Sequence, residues 1–286
     1  MGLTAPAVEA KPCSMTMTDD IALACRLAEA ARAAIRPHFR AQVASERKAD
    51  ASPVTVADRA AEEAMRRILT AEVPQDGVIG EEFGVTPGRS DGRSDGRSDG
   101  RSGRQWVLDP IDGTTGFLAG RPLFGTLIAL VVDGWPIMGV IDQPILGERW
   151  IGAAGQPTTL NGVAARTRAC RALADAAIAT TGPHYFDDHQ AAHFMALAAR
   201  TDHKRMVMGG DCYNYAMLAS GHLDVVCEAG LKLYDWAALV PVVEGAGGTM
   251  ADWNGDPLHA GSTGHVLALG DPARLEDAVL ALACNH

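Results

Sequence analysis

One short segment in the middle of the chain restricts its fold more than any other. The apolar stretch at 105–108 is predicted to be a strand, and it leads directly into Asp109 and Asp112, with only Pro110 and Ile111 between them. Two carboxylates at so short and stiff a spacing repel each other unless a cation lies between them. The fold therefore has to place the end of this strand beside a cleft that a cation can enter.

Further acidic and polar groups are predicted at the ends of other elements. Glu81 follows a short strand at 78–80, and Asp235 opens a helix. Such carboxylates can converge, and Mg²⁺ prefers one or two of them together with a substrate phosphate. The backbone N–H groups of residues 113–115, at a predicted helix N-terminus, favour phosphate binding. Capping of its own helix is an alternative role for Asp235, and both interpretations stay open at this point.

The predicted elements fall into two parts. Helices and a β-hairpin that turns at Asp133 and Gly134 dominate the first part, whereas strands and helices alternate from residue 176 onward. The pattern is therefore α+β first and α/β second. We predict a flexible tail at 1–17, a metal-binding α+β domain at 18–172 and an α/β domain at 173–286.

Capping signals set the predicted helix ends. Thr18, followed by two acidic residues, is predicted to cap a first helix that ends near Pro37. Thr55 and Asp58 resemble a capping box for the second helix. A later helix is predicted to run from Asp235 to the glycines at 245–248.

A low-complexity segment interrupts the first part. The sequence Gly-Arg-Ser-Asp is repeated through 88–104, without any large apolar residue. Such a composition cannot build a core, so a mobile surface loop is predicted. The period and the aspartates leave a calcium-binding repeat open as an alternative to a plain linker.

The composition limits the classes of partner. With 25 basic and 35 acidic residues the formal net charge is −10, which argues against sequence-tolerant binding of nucleic acid. The sequence shows no apolar run of the ~18 residues that a membrane span needs and no signal-peptide pattern. The six cysteines are scattered without a CxxC pair. We therefore predict a reduced, cytoplasmic protein with neither membrane nor nucleic-acid partners.

Three motifs, in order and at these separations, resemble the inositol monophosphatase family of Mg²⁺-dependent, lithium-sensitive phosphatases. They are Gly-Glu-Glu at 80–82, Asp-Pro-Ile-Asp-Gly-Thr-Thr-Gly-Phe at 109–117 and Tyr-Asp-Trp-Ala-Ala at 234–238. The resemblance extends from about Thr18 to the C-terminus. It implies a layered α-β-α-β-α sandwich, a homodimer and a small phosphate monoester as substrate.

The resemblance also implies a set of metal ligands for two to three Mg²⁺ ions. Glu81, Asp109 and the carbonyl of Ile111 would hold the first ion. Asp109, Asp112 and Asp235 would hold the second, and Glu81 would help to hold a weak third. Hydrolysis would then proceed by direct in-line attack of water, without an enzyme nucleophile.

Phosphate-binding and catalytic roles follow from the same resemblance. The N–H groups of Gly113, Thr114 and Thr115 would bind phosphate, and the Thr114 hydroxyl, paired with Asp58, would orient the attacking water together with Glu81. For Asp58 the capping box is a sufficient explanation by itself. Its catalytic role depends on the family motif at 52–55, so both interpretations stay open.

Other segments resemble the histidinol-phosphate phosphatases of the inositol monophosphatase type. These are residues 122–127, 209–213 and 228–232. Asp211 and Glu228 would place negative charge near the ammonium and imidazole groups of histidinol, whereas inositol offers only hydroxyls. The alternatives are helix capping by Asp211 and a surface position for Glu228.

The expected reaction is the hydrolysis of L-histidinol phosphate to L-histidinol and phosphate, a step of histidine biosynthesis. Inositol 1-phosphate and 3′-phosphoadenosine 5′-phosphate are alternative substrates within the same family. A catalytically silent regulatory member is an alternative of a different class, because the repeat lies between two of the metal motifs.

Overall fold

The computed structural model describes residues 15–41, 45–47, 53–89 and 103–283. Most of the predicted tail at 1–17 and of the predicted loop at 88–104 lies outside the described residues.

The described strands form one large sheet, one smaller sheet and a short hairpin. The large sheet has the order β10-β9-β8-β7-β6-β5-β3-β4 and the smaller one β12-β11-β13-β15-β14, while β1 pairs with β2. The bounds are β1 (Ser45–Arg47), β2 (Pro53–Thr55), β3 (Gly77–Gly80), β4 (Gly84–Thr86), β5 (Arg104–Asp112), β6 (Gly125–Val132), β7 (Trp135–Gln143), β8 (Glu148–Ala153), β9 (Gln156–Leu160), β10 (Val163–Ala164), β11 (Ile178–Thr180), β12 (Val207–Met208), β13 (Val225–Glu228), β14 (Thr249–Ala251) and β15 (Val266–Leu269).

Helices cover both faces of each sheet. Their bounds are α1 (Met17–Ile35), α2 (Val56–Glu72), α3 (Thr114–Leu118), α4 (Asp188–Ala198), α5 (Cys212–Ala219), α6 (Leu233–Trp236), α7 (Leu239–Gly245) and α8 (Leu275–Ala283).

The alternation of side chains along the strands decides how the layers stack, since successive residues of a strand point to opposite faces. On β5, Trp106 and Leu108 pack in one buried cluster with α1 and α2. Val107, between them, packs in another cluster with α5 and α7. The large sheet therefore lies between these two helical layers.

The smaller sheet repeats the arrangement. Ala179 of β11 and Val226 of β13 belong to the cluster that contains α5 and α7. Their neighbours Ile178 and Val225 pack with α4 and α8 in a third cluster. The order of layers is α-β-α-β-α, which confirms the predicted sandwich.

The first helix begins earlier than predicted. Its N-cap is Thr16, whose side chain and that of Asp19 form a capping box, so the prediction of Thr18 was wrong. The spacing explains the difference, because the acidic partner stands three residues after the cap and Asp19 fits only Thr16. The predicted capping box of Thr55 and Asp58 is confirmed.

The helix predicted from Asp235 to the glycines is two helices, α6 and α7. Pro241 lies in the first turn of α7. Its ring cannot donate a hydrogen bond and clashes with the carbonyl four residues earlier, at Ala237, which lies in the interruption. The proline therefore ends the short helix that carries Asp235.

The predicted domain boundary near residue 172 lies between the two sheets. The cluster that contains α5 and α7 takes buried residues from both sheets. A division into two domains at this point stays a prediction.

Within the described part of the chain, no helix combines the length and the apolar character needed to cross a membrane.

The carboxylate of Asp224 joins the connection between the two halves to β13. It accepts hydrogen bonds from Arg168 Nε at 2.6 Å and from the backbone N–H of Ala177 at 2.7 Å. Burial alone would raise its pKa, but these donors bring the pKa of Asp224 below its ordinary value. At neutral pH we expect Asp224→Asn to lower the free energy of unfolding by about 2 kcal/mol.

The pH dependence of this loss follows from the lowered pKa. A carboxyl whose pKa is lower in the folded protein stabilises the fold fully at a pH above its pKa in the unfolded chain, which is about 3.9. This stabilisation is lost as the pH falls through the pKa of the folded state. Urea unfolding of both proteins at pH 7 and at successively lower pH should show the difference shrinking below about pH 4. Asp277→Asn, which breaks a surface ion pair with Arg274, is the control and should cost less than about 0.5 kcal/mol. A loss at Asp224 that persists unchanged in acid would contradict the assignment.

Candidate active site

An irregularity in β5 brings Asp109 and Asp112 to one side of the sheet. Residues three apart on a regular strand point to opposite faces. Here Asp109 pairs with Leu127 and Asp112 with Gly125, so three steps on β5 match two steps on β6. This extra residue is a β-bulge, and bulges re-aim side chains. The strand runs from Arg104 through Asp112, so it ends within the acidic segment in which it was predicted to end.

A third carboxylate comes from α6, more than a hundred residues later. Oxygens of Asp109, Asp112 and Asp235 all lie within 4.8 Å of one another. Asp235 also accepts a hydrogen bond from the backbone N–H of Lys232 at 2.6 Å. Asp235 therefore has both of the roles that the sequence left as alternatives. It caps its own helix, and it forms an acidic cluster with Asp109 and Asp112.

Glu81 completes the acidic group from the turn after β3. Its backbone N–H donates to the carbonyl of Leu108 at 3.1 Å, which ties that turn to β5. Burial raises the pKa of Asp109 well above its usual range, and the charges of Glu81, Asp112 and Asp235 raise it further. Asp109 Oδ1 is buried and has no hydrogen-bond partner among the described residues. A divalent cation is the kind of partner that this oxygen lacks.

A hydrogen bond connects Asp112 to α5, the helix that lies between the two sheets. Its Oδ2 accepts a hydrogen bond of 2.6 Å from the backbone N–H of Cys212, at the first residue of α5. Burial raises the pKa of Asp112 well above its ordinary value, and the charges of Asp211 and Asp235 add to the rise. Several carboxylates are thus crowded into one place where they cannot all ionise without a counter-charge.

The predicted phosphate-binding segment lines the same cavity as the carboxylates. Gly113, Thr114 and Thr115 are among its lining residues. Gly113 has a φ of 87° and precedes α3, so its left-handed conformation turns the chain from β5 into that helix.

The structure does not show the predicted pairing of Thr114 with Asp58. The Thr114 hydroxyl donates to the carbonyl of Ile111 at 3.1 Å, so the predicted metal-binding carbonyl already accepts this bond. A threonine hydroxyl reaches the carbonyl three residues back more easily than a group on another element, which is the physical reason for the difference.

Asp58 lies buried at the start of α2. Its Oδ2 accepts a 2.8 Å hydrogen bond from the backbone N–H of Thr55, as a capping residue does. Its Oδ1 is buried and unpartnered within the described part of the chain. Burial raises the pKa of Asp58, the bonds from Thr55 lower it, and the charge of Glu81 raises it again. Capping therefore uses one oxygen and leaves the other available near Glu81.

Asp211 and Glu228 share a cavity of about 240 Å³ with Glu81, Asp112 and Asp235. Asp211 stands before α5, but its carboxylate forms no capping bond to that helix. Its φ of 46° is an unusual conformation for a residue with a side chain, and such conformations concentrate at functional sites. Burial raises the pKa of Asp211 to about 6. The capping alternative for Asp211 is not what the structure shows.

Glu228 is 5% exposed at the end of β13, so the alternative of a surface acid was wrong. The backbone N–H and the hydroxyl of Thr181 donate to its Oε1 at 2.9 Å and 2.7 Å. Burial raises the pKa of Glu228 to about 8, and the hydrogen bonds from Thr181 offset part of the rise. Glu228 is thus a buried acid that a cationic group in the cavity would ionise.

Sequence reasoning missed the residue that supports the Glu81 turn. Glu62 of α2 is fully buried and accepts hydrogen bonds from the backbone N–H groups of Glu82 at 2.7 Å and Phe83 at 3.2 Å. A Cβ on Gly80 would lie 2.0 Å from Glu62 Oε1, so glycine is needed there. The available signal was an acid on the apolar face of the predicted second helix, one turn after Asp58.

Two further cavity residues gave no such signal. Thr181 and Tyr215 belong to the alternating second part and line the cavity. The Tyr215 hydroxyl is buried without a hydrogen-bond partner among the described residues. Their position depends on how the halves pack, so no local pattern reveals it.

Gly113→Ala is expected to lower any catalytic activity of this cavity by about 10²-fold. A Cβ at Gly113 would lie 3.0 Å from Asp211 Oδ2 and 3.1 Å from the carbonyl of Leu123, so one wall of the cavity has to move. The left-handed backbone adds a cost of about 1 kcal/mol. Steady-state kinetics together with thermal unfolding separate the two effects.

Gly155→Ala is the matched control for this substitution. Gly155 has a similar φ of 73°, but a Cβ there meets no atom within 4 Å. The control should lose stability to the same extent and keep its activity. Equal activity of both variants would show that Gly113 does not shape the cavity.

Almost the whole chain is similar to known phosphatases. The model of the inositol monophosphatase family matches residues 16–286. The bifunctional phosphatase IMPL2, chloroplastic, of Arabidopsis thaliana is 48% identical over 229 residues, which are 80% of this chain and 63% of that protein. The chain thus spans less than two thirds of that relative. The histidinol-phosphatase of Chlorobaculum parvum is 36% identical over 240 residues, 84% of this chain and 88% of that protein.

A solved structure agrees with the sequence relatives. An inositol monophosphatase from Zymomonas mobilis superimposes with a TM-score of 0.82 at 49% identity, covering 94% of this chain and 100% of that chain.

Proposed function

Because this chain belongs to the inositol monophosphatase family, we propose that it is a Mg²⁺-dependent phosphomonoesterase that hydrolyses L-histidinol phosphate to L-histidinol and phosphate by direct attack of an activated water. The observation that carries the substrate assignment is one cavity that Glu81, Asp112 and Asp235 line together with two further acids, Asp211 and Glu228. The relative from Chlorobaculum parvum, named a histidinol-phosphatase, supports the same choice.

The residues of the acidic cluster fit Mg²⁺. They offer hard carboxylate oxygens, and the buried, unpartnered Asp109 Oδ1 needs a positive partner. We assign Asp109, Asp112 and Asp235, with Glu81 and the carbonyl of Ile111, to hold two to three ions. When bound, Mg²⁺ supplies positive charge to the phosphoryl oxygens and lowers the pKa of bound water.

The chain's own groups position the phosphate and the water. Residues 113–115 line the cavity at the start of α3, and their N–H groups are assigned to the phosphoryl oxygens. Glu81 and the Thr114 hydroxyl are assigned to orient the water. Asp58 is assigned to act through Glu81, since the negative charge of Glu81 raises the pKa of Asp58.

The far side of the cavity suits a cationic alcohol. Burial raises the pKa of both Asp211 and Glu228, so both carboxyls stand in surroundings less polar than bulk water, where their attraction for an ammonium or imidazolium group is stronger than at the surface. Among the described lining residues, Lys232 is the basic one. A neutral polyol gains less from these charges, because it brings no positive group.

Inositol 1-phosphate is the second candidate substrate, favoured by the likeness to the inositol monophosphatase from Zymomonas mobilis. 3′-Phosphoadenosine 5′-phosphate is a weaker candidate substrate, because its second phosphate would lie near the acidic residues that line the cavity. A homodimer, lithium sensitivity and a cytoplasmic location remain predictions from the family resemblance.

The test compares the turnover of three substrates by the purified chain with Mg²⁺. Histidinol phosphate should exceed inositol 1-phosphate and 3′-phosphoadenosine 5′-phosphate in kcat/KM by at least about tenfold. Removal of Mg²⁺ with a chelator should abolish all activity. A preference for either other substrate would contradict the substrate assignment and leave the phosphatase class intact. The absence of turnover with all three would favour the regulatory alternative instead.

A further inference from the structure

Two histidines meet on the outer helical layer that α4 and α8 form against the smaller sheet. His189 and His193 are four residues apart on α4, so their side chains lie on the same face of the helix. Their Nε2 atoms are 3.1 Å apart, and their ring planes are inclined at 74°. Neither residue belongs to the acidic cluster or to the lining of the cavity described above.

A contact with α8 fixes the tautomer of the neutral His193 ring. Its Nδ1 lies at hydrogen-bonding distance from the carbonyl oxygen of Leu282, in the last turn of that helix. A carbonyl oxygen can only accept, so Nδ1 has to carry the proton. In the neutral ring Nε2 is then the nitrogen with the lone pair. The ring therefore presents a free electron pair towards His189.

This arrangement matches the way in which proteins prepare a histidine to bind a metal. Metal-binding histidines usually donate their second N–H to a carbonyl or a carboxylate, which fixes the tautomer and the orientation of the ring. Histidines at positions i and i+4 of a helix bind one zinc ion in the zinc proteases. His193 is oriented further by Trp253, whose ring centroid is 6.0 Å away.

The distance between the two nitrogens decides the class of ion. With metal–nitrogen bonds of about 2.0–2.1 Å, neighbouring ligands lie about 3.3 Å apart in a tetrahedral site and about 2.9 Å apart in a square-planar site. The observed 3.1 Å lies between these values. Imidazole nitrogen suits Zn²⁺ and Cu²⁺, whereas Mg²⁺ prefers oxygen.

We propose that His189 and His193 form a two-imidazole binding site for one Zn²⁺ or Cu²⁺ ion, separate from the acidic cluster of the cavity. His189 is exposed, so water completes the coordination. A hydrogen bond from His189 Nε2–H to His193 accounts for the same distance without an ion. Because His189 is exposed, its proton can move to Nδ1 by exchange with water when an ion arrives.

The test titrates the full chain with Zn²⁺, and separately with Cu²⁺, in excess Mg²⁺, with heat of binding and thermal unfolding as readouts. We expect one binding event in the wild type that is at least about tenfold weaker or lost in His189→Ala. Cu²⁺ should bind more tightly than Zn²⁺. Because His189 is exposed, its substitution should leave the metal-free unfolding temperature unchanged.

Matched variants isolate the pair from other ligands. His222→Ala removes an exposed histidine elsewhere in the chain and should bind as the wild type does. Asp112→Asn should also retain the binding of Zn²⁺ or Cu²⁺, because Asp112 belongs to the acidic cluster and not to the histidine pair. The same affinity and stoichiometry in His189→Ala as in the wild type, or a loss of the event only in Asp112→Asn, would overturn the proposal. So would the absence of binding to the wild type.

Discussion

Asp112→Asn is expected to lower kcat for phosphate release by at least about 10³-fold. Asp112 shares the cluster with Asp109 and Asp235, and the amide removes one of the negative charges assigned to hold Mg²⁺. The amide oxygen can still accept the hydrogen bond from the backbone N–H of Cys212, so the packing of α5 against β5 should survive.

The unfolding temperature separates this loss from a failure to fold. Since the pKa of Asp112 is raised by burial and by the charges of Asp211 and Asp235, a neutral side chain relieves repulsion in the absence of metal. The metal-free variant should therefore unfold at the same temperature as the wild type or higher, and Mg²⁺ should stabilise it less. Asp133→Asn, the same change at an exposed turn with a left-handed backbone, is the control. Full activity of Asp112→Asn would remove this residue from the metal-binding set.

Glu228→Gln is expected to remove the preference for a cationic substrate and to leave the phosphatase activity in place. Loss of one buried charge opposite an ammonium or imidazolium group costs about 2 kcal/mol or more, which is about 30-fold in kcat/KM for histidinol phosphate. Glutamine keeps the oxygen that accepts from the N–H and hydroxyl of Thr181, so the wall of the cavity keeps its shape. Turnover of inositol 1-phosphate should change by less than about threefold.

The same carboxyl predicts a pH dependence with a definite sign. Because burial raises the pKa of Glu228 to about 8, the group is neutral below that range and charged above it. The preference for histidinol phosphate over inositol 1-phosphate should therefore grow as the pH rises from about 6.5 to 8.5, with a midpoint at or below 8 because nearby cations favour the ionised form. In Glu228→Gln the ratio should be flat over this range.

A second variant controls for a general effect of the substitution. Glu244→Gln changes an exposed glutamate of α7 outside the cavity, and both substrate ratio and pH profile should match the wild type. A Glu228→Gln protein that still prefers histidinol phosphate would assign the recognition of the cation to other groups, with Asp211 as the next to test.

The local parts of the site could be predicted from the sequence because they depend on neighbours only a few residues apart. The capping box of Thr55 and Asp58 requires a spacing of three residues, and the structure shows it. The turn at Asp133 and Gly134, with both residues at positive φ, joins β6 to β7 as the glycine-containing pair predicts. The cap predicted at Thr18 was two residues too late, because Asp19 completes a capping box with Thr16, three residues before it.

Contacts across the chain were not predictable in this way. The bulge in β5 depends on the register of β6, and it decides that Asp109 and Asp112 point to the same side. The hydrogen bond between Cys212 and Asp112 joins residues that are 100 positions apart. The hydroxyl of Thr114 donates a hydrogen bond to the carbonyl of Ile111 and not to Asp58. This choice depends on the shape of the turn between β5 and α3, which the sequence does not show.

The sequence by itself determined the kinds of chemical group that this protein brings to its site, carboxylates for a hard cation and backbone N–H groups for phosphate. These are properties of residue type and short spacing, so they can be recognised without a fold. Only the tertiary structure decided that Asp211 and Glu228 line the same cavity as Glu81, Asp112 and Asp235, where burial raises the pKa of both acids. The strength of a charge depends on the dielectric around it, and that is set by the packing of two sheets whose residues are far apart in the chain.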